Sequence, residues 1–89
     1  MAEIHFTPNL RRHLRVESAE VPAGVLAEAL ETTFARNPGL RSYIVDDQGR
    51  LRPHVAIYVD GRRVRDRVTL RDEVGKNDRI HVMQALSGG

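Results

Sequence analysis

A single amphipathic helix among short alternating segments most constrains the fold of this chain. Between Pro22-Ala23-Gly24 and Asn37-Pro38-Gly39, apolar residues recur at helical spacing on one stripe: Val25, Leu26, Ala29, Leu30 and Phe34. The residue before a proline avoids helical geometry, so the helix is expected to end near Asn37. Because one helix cannot cover both faces of a sheet, we expect it to pack on a single face.

The remaining segments alternate apolar and polar residues with the period of β-strands. This pattern is found at Ile4–Phe6, at Val55–Val59 and at Ile80–Val82. A second strand between residues 11 and 21 is expected to form a hairpin with the first. We further expect an extended piece at Tyr43-Ile44-Val45 and a connection whose apolar residues Leu70 and Val74 fill the core.

One turn is predicted by its composition. Asp60-Gly61 directly follows the strand of residues 55–59, and a type I′ hairpin turn requires positive φ at both central residues. A short strand from Arg62 to Val64 should therefore return beside the preceding one.

Together these elements predict an α+β domain of the β-grasp type, with a mixed sheet of four or five strands and one main helix on one face. The first and last strands would lie parallel in its centre. The other face would carry His5, His81 and Met83, with Tyr58 beside them. An 89-residue chain has room for one core. We therefore expect a β-grasp domain over residues 1–84 and a flexible tail over residues 85–89.

Composition argues against several functional classes. The absence of cysteine removes disulfides, thiolate metal sites and a cysteine nucleophile. No secretory signal or membrane-length apolar run is visible, so we expect a cytoplasmic protein without a membrane partner. Arginine clusters such as Arg62–Arg67 could contact nucleic acid. Interleaved acidic residues, few aromatics and a net charge of only +2 favour a mixed-charge surface without nucleic-acid binding.

No catalytic or metal motif is evident among the titratable residues. The histidines at 5, 13, 54 and 81 lack the close spacing of a zinc motif. Only His5 and His81 are expected on neighbouring strands, where a solvent-facing pair is favoured over a metal site. Carboxylate pairs such as Asp46-Asp47 are typical of solvated turns. Acid–base catalysis would instead need a cavity that shifts their pKa values. We therefore expect a binding or carrier module and no enzyme.

The C-terminal residues Ala85-Leu86-Ser87-Gly88-Gly89, hereafter the tail, offer the remaining chemistry. They directly follow the last predicted strand, and Gly89 ends the sequence. One interpretation is an ordinary flexible terminus, in which glycine is common. The other is that a carboxylate on two residues without side chains enters a narrow channel of a partner. The residues alone leave both open.

Several segments resemble the ubiquitin-like sulfur carriers of the MoaD/ThiS family over nearly the whole chain. The similarity lies in Asn37-Pro38-Gly39-Leu40, in the segment Leu51–Asp60, and in Asp78–Val82 leading to the terminal diglycine. His54–Gly61 and Phe6–His13 are most similar to the branch that feeds sulfur to cysteine synthesis. Ala56, where many relatives have Asn, and Gly75-Lys76-Asn77-Asp78, in place of a tighter turn, depart from that branch.

The resemblance implies a mechanism in which Gly88 and Gly89 form the sulfur-carrying terminus. An E1-like activating enzyme would adenylate the Gly89 carboxylate with ATP and magnesium, and a sulfur donor would convert it to a thiocarboxylate. A downstream synthase would accept the sulfur. The carrier itself would bind no cofactor stably. Docking is expected through Met83, Leu86, Ser87 and Tyr58, although Leu86 could instead pack against its own domain.

Three other functions stay open at this point. Within the family, the chain could be the small subunit of molybdopterin synthase or the thiamin-pathway carrier. It could also be a protein modifier joined to lysines through Gly89, in which case Lys76, the only lysine, limits chain formation. Last, it could be an interaction domain whose tail is incidental.

Overall fold

The computed structural model describes residues 1–6 and 18–84. Its elements, in chain order, are β1 (Ala2–Phe6), β2 (Ser18–Val21), β3 (Gly24–Val25), α1 (Leu26–Arg36), a 3₁₀ turn (Pro38–Leu40), α2 (Arg41–Ile44), β4 (Val55–Val59), β5 (Arg62–Arg63), β6 (Glu73–Val74) and β7 (Arg79–Gln84). None of the helices in these two ranges is long and apolar enough to cross a bilayer.

The main sheet has five strands in the order β2-β1-β7-β4-β5. The central pair β1 and β7 is parallel, with Ile4 opposite Ile80, and the other neighbours are antiparallel. The predicted β-grasp topology is therefore confirmed, including the hairpin of β1 with a second strand. That second strand is described only from Ser18, since residues 7–17 lie outside the described ranges.

Strand alternation separates a buried face of the sheet from an outward one. The inner face consists of Ala2, Ile4, Phe6, Val55, Ile57, Val59, Ile80 and Val82, all of them buried. Helix α1 lies over this face and contributes Leu26, Ala29, Leu30 and Phe34 to the same core. Leu70 and Val74 also fill this core from the connection before β7, as predicted.

The hairpin between β4 and β5 confirms the prediction made from Asp60-Gly61. Both residues adopt positive φ, 52° at Asp60 and 85° at Gly61. Val59 and Arg62 are opposite each other, so the turn has two residues as expected for type I′. This tight return places Arg63 directly opposite Tyr58.

The start of α1 differs from the prediction, because Val25 is not helical. It is the extended N-cap residue and pairs with Glu73 in the two-stranded sheet of β3 and β6. The backbone N–H groups of Leu26 and Ala27 donate to the carbonyls of Asp72 and Leu70, at 2.9 and 2.8 Å. These bonds replace a side-chain cap, so the helix begins where the neighbouring loop can accept hydrogen bonds.

The extended piece expected at Tyr43-Ile44-Val45 is wrong for its first two residues. Arg41–Ile44 forms the helical turn α2, closed by a 2.9 Å hydrogen bond from the Val45 N–H to the Arg41 carbonyl. Val45 alone is extended and bridges to Leu51. The helical turn buries Leu40 and Ile44. Three apolar residues in a row do not distinguish a strand from one helical turn.

Candidate functional site

The outward face of the sheet carries the residues that the sequence singles out for docking. We define the outer face by the residues that alternate with core residues in β1, β4 and β7: Glu3, His5, Ala56, Tyr58, His81 and Met83. The strand register places His81 between His5 on one side and Tyr58 on the other. The predicted composition of this face is thus confirmed.

Met83 and Tyr58 lie on the outer face close to the end of β7. Met83 is 40% exposed and is opposite Ala56, whereas Tyr58 is half-buried. Both line a shallow depression of about 290 Å³, together with Pro53, His54, Val55, Ala56 and Arg63. This depression combines an apolar floor with one guanidinium group, which suits contact with another protein.

The same depression lies at the end of the sheet from which the tail continues. Gln84, the last residue of β7, is opposite Val55, and Pro53 and His54 immediately precede Val55. The candidate residues Leu86, Ser87, Gly88 and Gly89 lie outside the described residues, so their roles stay predictions. Met83 and Tyr58 are the two docking candidates that the structure brings together.

The histidine pair of the outer face is stacked. The ring centroids of His5 and His81 are 5.2 Å apart, and their planes differ by 17°. Nε2 of His5 lies 3.1 Å from Oε1 of Glu3, two residues earlier on the same strand. The predicted neighbouring placement of these two histidines is confirmed. Among the described residues there is no cluster of three or more side chains that could hold a metal ion.

One member of the arginine cluster Arg62–Arg67 has a structural role. The guanidinium of Arg67 donates to the carbonyl oxygens of Arg52 and Val55, at 2.7 and 2.9 Å. The carbonyl of Arg67 accepts a hydrogen bond from the Leu51 N–H at 2.8 Å. Arg67 therefore joins the loop before β4 to the segment after β5.

Two aspartates organise the loop between β5 and β6. Asp66 accepts hydrogen bonds from the Thr69 hydroxyl and from backbone N–H groups that include those of Thr69 and Arg71. These bonds, that of the Thr69 hydroxyl above all, hold the pKa of the Asp66 carboxyl well below its usual range. Asp72 accepts from the N–H groups of Arg65 and Asp66, at 3.0 and 2.9 Å. Both carboxylates thus stabilise the loop that carries the arginine cluster.

A larger depression of about 540 Å³ lies at the β5 edge of the sheet. It is lined by Val59, Arg62, Arg63, Arg65, Asp72 and Glu73. Three arginines share its walls with two acidic residues, so its lining carries both signs of charge. This geometry agrees with the mixed-charge surface predicted from the sequence and offers little to a phosphate backbone.

Some residues near the docking candidates were missed by sequence reasoning. Pro53, His54 and Arg63 line the same depression as Met83. For Arg63 a signal existed, because a two-residue hairpin at Asp60-Gly61 fixes Arg63 opposite Tyr58. Pro53 and His54 depend on the register of β4 against β7, which strand periodicity alone does not determine.

Comparison with known families and with curated proteins finds no match: no family model and no curated protein corresponds to this chain. Solved structures do match. A chain of the crystal structure of the Amycolatopsis orientalis BexX/CysO complex is 23% identical, with a TM-score of 0.86 and full coverage of both chains. Its fold is therefore shared along the entire length of the chain described here.

Two further structures are similar over almost the same length. CysO from Mycobacterium tuberculosis is 21% identical with a TM-score of 0.82, covering 97% of this chain and 100% of that one. The small archaeal modifier protein 1 from Methanosarcina acetivorans is 18% identical with a TM-score of 0.84, covering 99% and 95%. At these identities the similarity establishes the ubiquitin-like β-grasp fold, and function has to be argued separately.

Proposed function

We propose that this chain is a ubiquitin-like sulfur carrier that acts in the cytoplasm through the carboxylate of Gly89. The observation that supports it most is the fold match to CysO and to the small archaeal modifier protein, combined with a diglycine at the fourth and fifth residues after the central strand β7. The docking candidates Met83 and Tyr58 lie on the outer face beside the end of that strand.

The proposed chemistry is an activated acyl transfer. An E1-like enzyme would supply ATP and magnesium, and the Gly89 carboxylate would displace pyrophosphate to form an acyl-adenylate. A sulfur donor of the sulfide or persulfide class would attack that carbonyl and release AMP, leaving a C-terminal thiocarboxylate. With a persulfide donor, a thiol must then reduce the acyl disulfide. The carrier contributes the terminus and a docking surface, while its partner contributes the catalytic groups.

Glycine at both terminal positions has a physical reason in this scheme. Without a β-carbon, Gly88 and Gly89 fit a narrow channel and leave the carbonyl open to attack. We expect Gly89→Ala to leave the fold intact and to prevent thiocarboxylate formation. Intact-mass analysis of protein isolated from its native cell checks this, since an oxygen-to-sulfur exchange mapped to Gly89 is expected only for the wild type.

A matched control separates this effect from a general effect of adding a methyl group. Gly39 has no positive φ, and a Cβ there would meet no atom within 4 Å. Gly39→Ala should therefore acquire sulfur like the wild type. If Gly89→Ala also acquires sulfur normally, or if the wild type never carries it, the sulfur-carrier proposal is wrong.

The destination of the sulfur is proposed from the sequence resemblance, which favours cysteine synthesis. Identification of the acceptor enzyme that co-purifies with the chain tests this against molybdopterin or thiamin synthesis, where the chemistry at Gly89 would be the same. The thiocarboxylate then has to transfer its sulfur to that acceptor in vitro. Transfer to a different acceptor would correct the pathway and leave the carrier role in place.

Protein modification is a second candidate function, favoured by the fold match to a small archaeal modifier protein. In that case the activated Gly89 carbonyl would be attacked by a lysine amine, and AMP would leave as an isopeptide bond forms. Mass spectrometry of tryptic peptides from native cells distinguishes the two functions. Gly89 in isopeptide linkage to other proteins supports modification, and a thiocarboxylate alone supports sulfur transfer.

A further inference from the structure

The histidine pair on the outer face has chemistry that the proposed sulfur transfer does not use. His5 and His81 occupy paired positions of the parallel strands β1 and β7, and both side chains are half-buried. Their position is fixed from below, because the flanking residues Ile4, Ile80 and Val82 are wholly buried in the core. Two imidazoles are thus held side by side on central strands of the sheet.

The spacing of the two rings agrees with a shared zinc ion. Zinc–nitrogen bonds of about 2.0–2.1 Å at a tetrahedral angle place the centroids of two imidazoles roughly 5 Å apart. The observed centroid separation is 5.2 Å. The nearly parallel planes require the ring of His81 to turn about its Cβ–Cγ bond, so that His5 keeps its contact with Glu3, and this torsion has a broad energy minimum in histidine.

The contact with Glu3 favours the tautomer of His5 that a metal ligand requires. A carboxylate only accepts hydrogen bonds when ionised, so the 3.1 Å contact makes Nε2 of His5 the donor to Glu3. In the neutral ring this leaves the lone pair on Nδ1. A histidine that donates its other N–H to a carboxylate is the usual arrangement of a metal-binding histidine, because the carboxylate fixes the tautomer and raises the basicity of the ligating nitrogen.

We propose that His5 and His81, with Glu3 hydrogen-bonded to His5, form a surface zinc site on the outer face. Two imidazoles fill two positions of a tetrahedral ion, so water or a side chain of a docked protein would take the other two. The site is independent of the tail and of the proposed sulfur transfer.

Zinc titration of the full chain tests the proposal, using Zn²⁺ alone, isothermal calorimetry and the imidazole proton signals in NMR spectra. We expect one Zn²⁺ per chain, with shifts at His5 and His81. His81→Phe keeps a ring against His5 but removes a ligand outright, and it should weaken binding by about 100-fold or more, beyond the loss expected for Glu3→Gln. Glu3→Gln, which removes the carboxylate charge but keeps an oxygen that can accept from His5, should weaken binding by about 10- to 100-fold.

Two histidines of the same chain provide matched controls. His54 is exposed at the start of β4, and His13 lies outside the described residues. His54→Ala and His13→Ala should each leave the zinc affinity within about twofold of the wild type, a much smaller change than the loss expected for Glu3→Gln. Unchanged unfolding midpoints establish that each variant is folded. The proposal is overturned if the wild type binds no Zn²⁺, if His81→Phe binds it normally, or if a control variant loses affinity as strongly as His81→Phe.

Discussion

The two faces of the sheet are built from the same three strands and differ in what their residues do. The inner face consists of aliphatic and aromatic side chains that are buried against α1. The outer face pairs histidines, a tyrosine and a methionine across β1, β4 and β7. Packing against α1 therefore restricts the inner positions to apolar residue types, whereas it places no such restriction on the outer positions. For that reason, the residue types on the outer face are more informative about function than those on the inner face.

The largest effect that tests this contrast is expected at adjacent positions of β4. Ile57 is wholly buried and faces α1, whereas Tyr58 is half-buried and faces outward. Ile57→Ala should lower the free energy of unfolding by about 2–5 kcal/mol, because it removes buried methyl groups and leaves a cavity. Chemical denaturation measures this. Tyr58→Ala should cost clearly less, and an equal loss at both positions would contradict the contrast.

A smaller loss of stability is expected at Arg67, whose guanidinium serves the fold. Replacing Arg67 with Met removes the guanidinium donor from the carbonyls of Arg52 and Val55 and, among the described residues, leaves the Arg52 carbonyl only its hydrogen bond from the Val55 N–H. This loss should cost about 1–3 kcal/mol in denaturant unfolding. Arg65→Met is the matched control, because Arg65 is exposed and makes hydrogen bonds only through its backbone among the described residues. Comparable losses in the two variants would mean that the hydrogen bonds of Arg67 contribute nothing specific.

The smallest effect on stability is expected at Met83. Because Met83 is 40% exposed, Met83→Ala should change the free energy of unfolding by no more than about 0.5 kcal/mol. If the outer face docks the activating enzyme, the same variant should weaken that complex about tenfold, equivalent to about 1.4 kcal/mol, in a calorimetric titration. Val68→Ala removes an apolar side chain that is 60% exposed on the loop before β6 and should leave binding unchanged.

Much of this fold could be predicted from periodicity and turn chemistry. Alternation in β1, β4 and β7 identified both faces, and Asp60-Gly61 identified the hairpin. The helix boundary at Val25 could not be predicted, because it depends on backbone carbonyls of residues 70 and 72 that are distant in sequence. The helical turn Arg41–Ile44 was missed for a different reason, since its length is below that of any recognisable period.

Less of the candidate site could be predicted than of the fold. Neighbouring positions for His5 and His81 followed from placing the first and last strands side by side. The contact of His5 with Glu3 depends on side-chain conformation, which strand periodicity does not determine. Arg67 was grouped with its neighbours as a surface cation, because the sequence does not distinguish a solvent-exposed guanidinium from one that is hydrogen-bonded to backbone carbonyls. The tail candidates Leu86, Ser87, Gly88 and Gly89 rest on sequence alone.

The parallel pairing of β1 and β7 also has a kinetic consequence. Ile4 pairs with Ile80, so nearly the entire chain must be closed into a loop before the two central strands meet. Contacts this distant in sequence slow folding, because the entropy of closure is lost before the contacts compensate for it. Until β7 arrives, the sheet lacks its middle strand, with β1 and β4 each missing a neighbour. Completion of the core and completion of the five-stranded sheet are therefore one event.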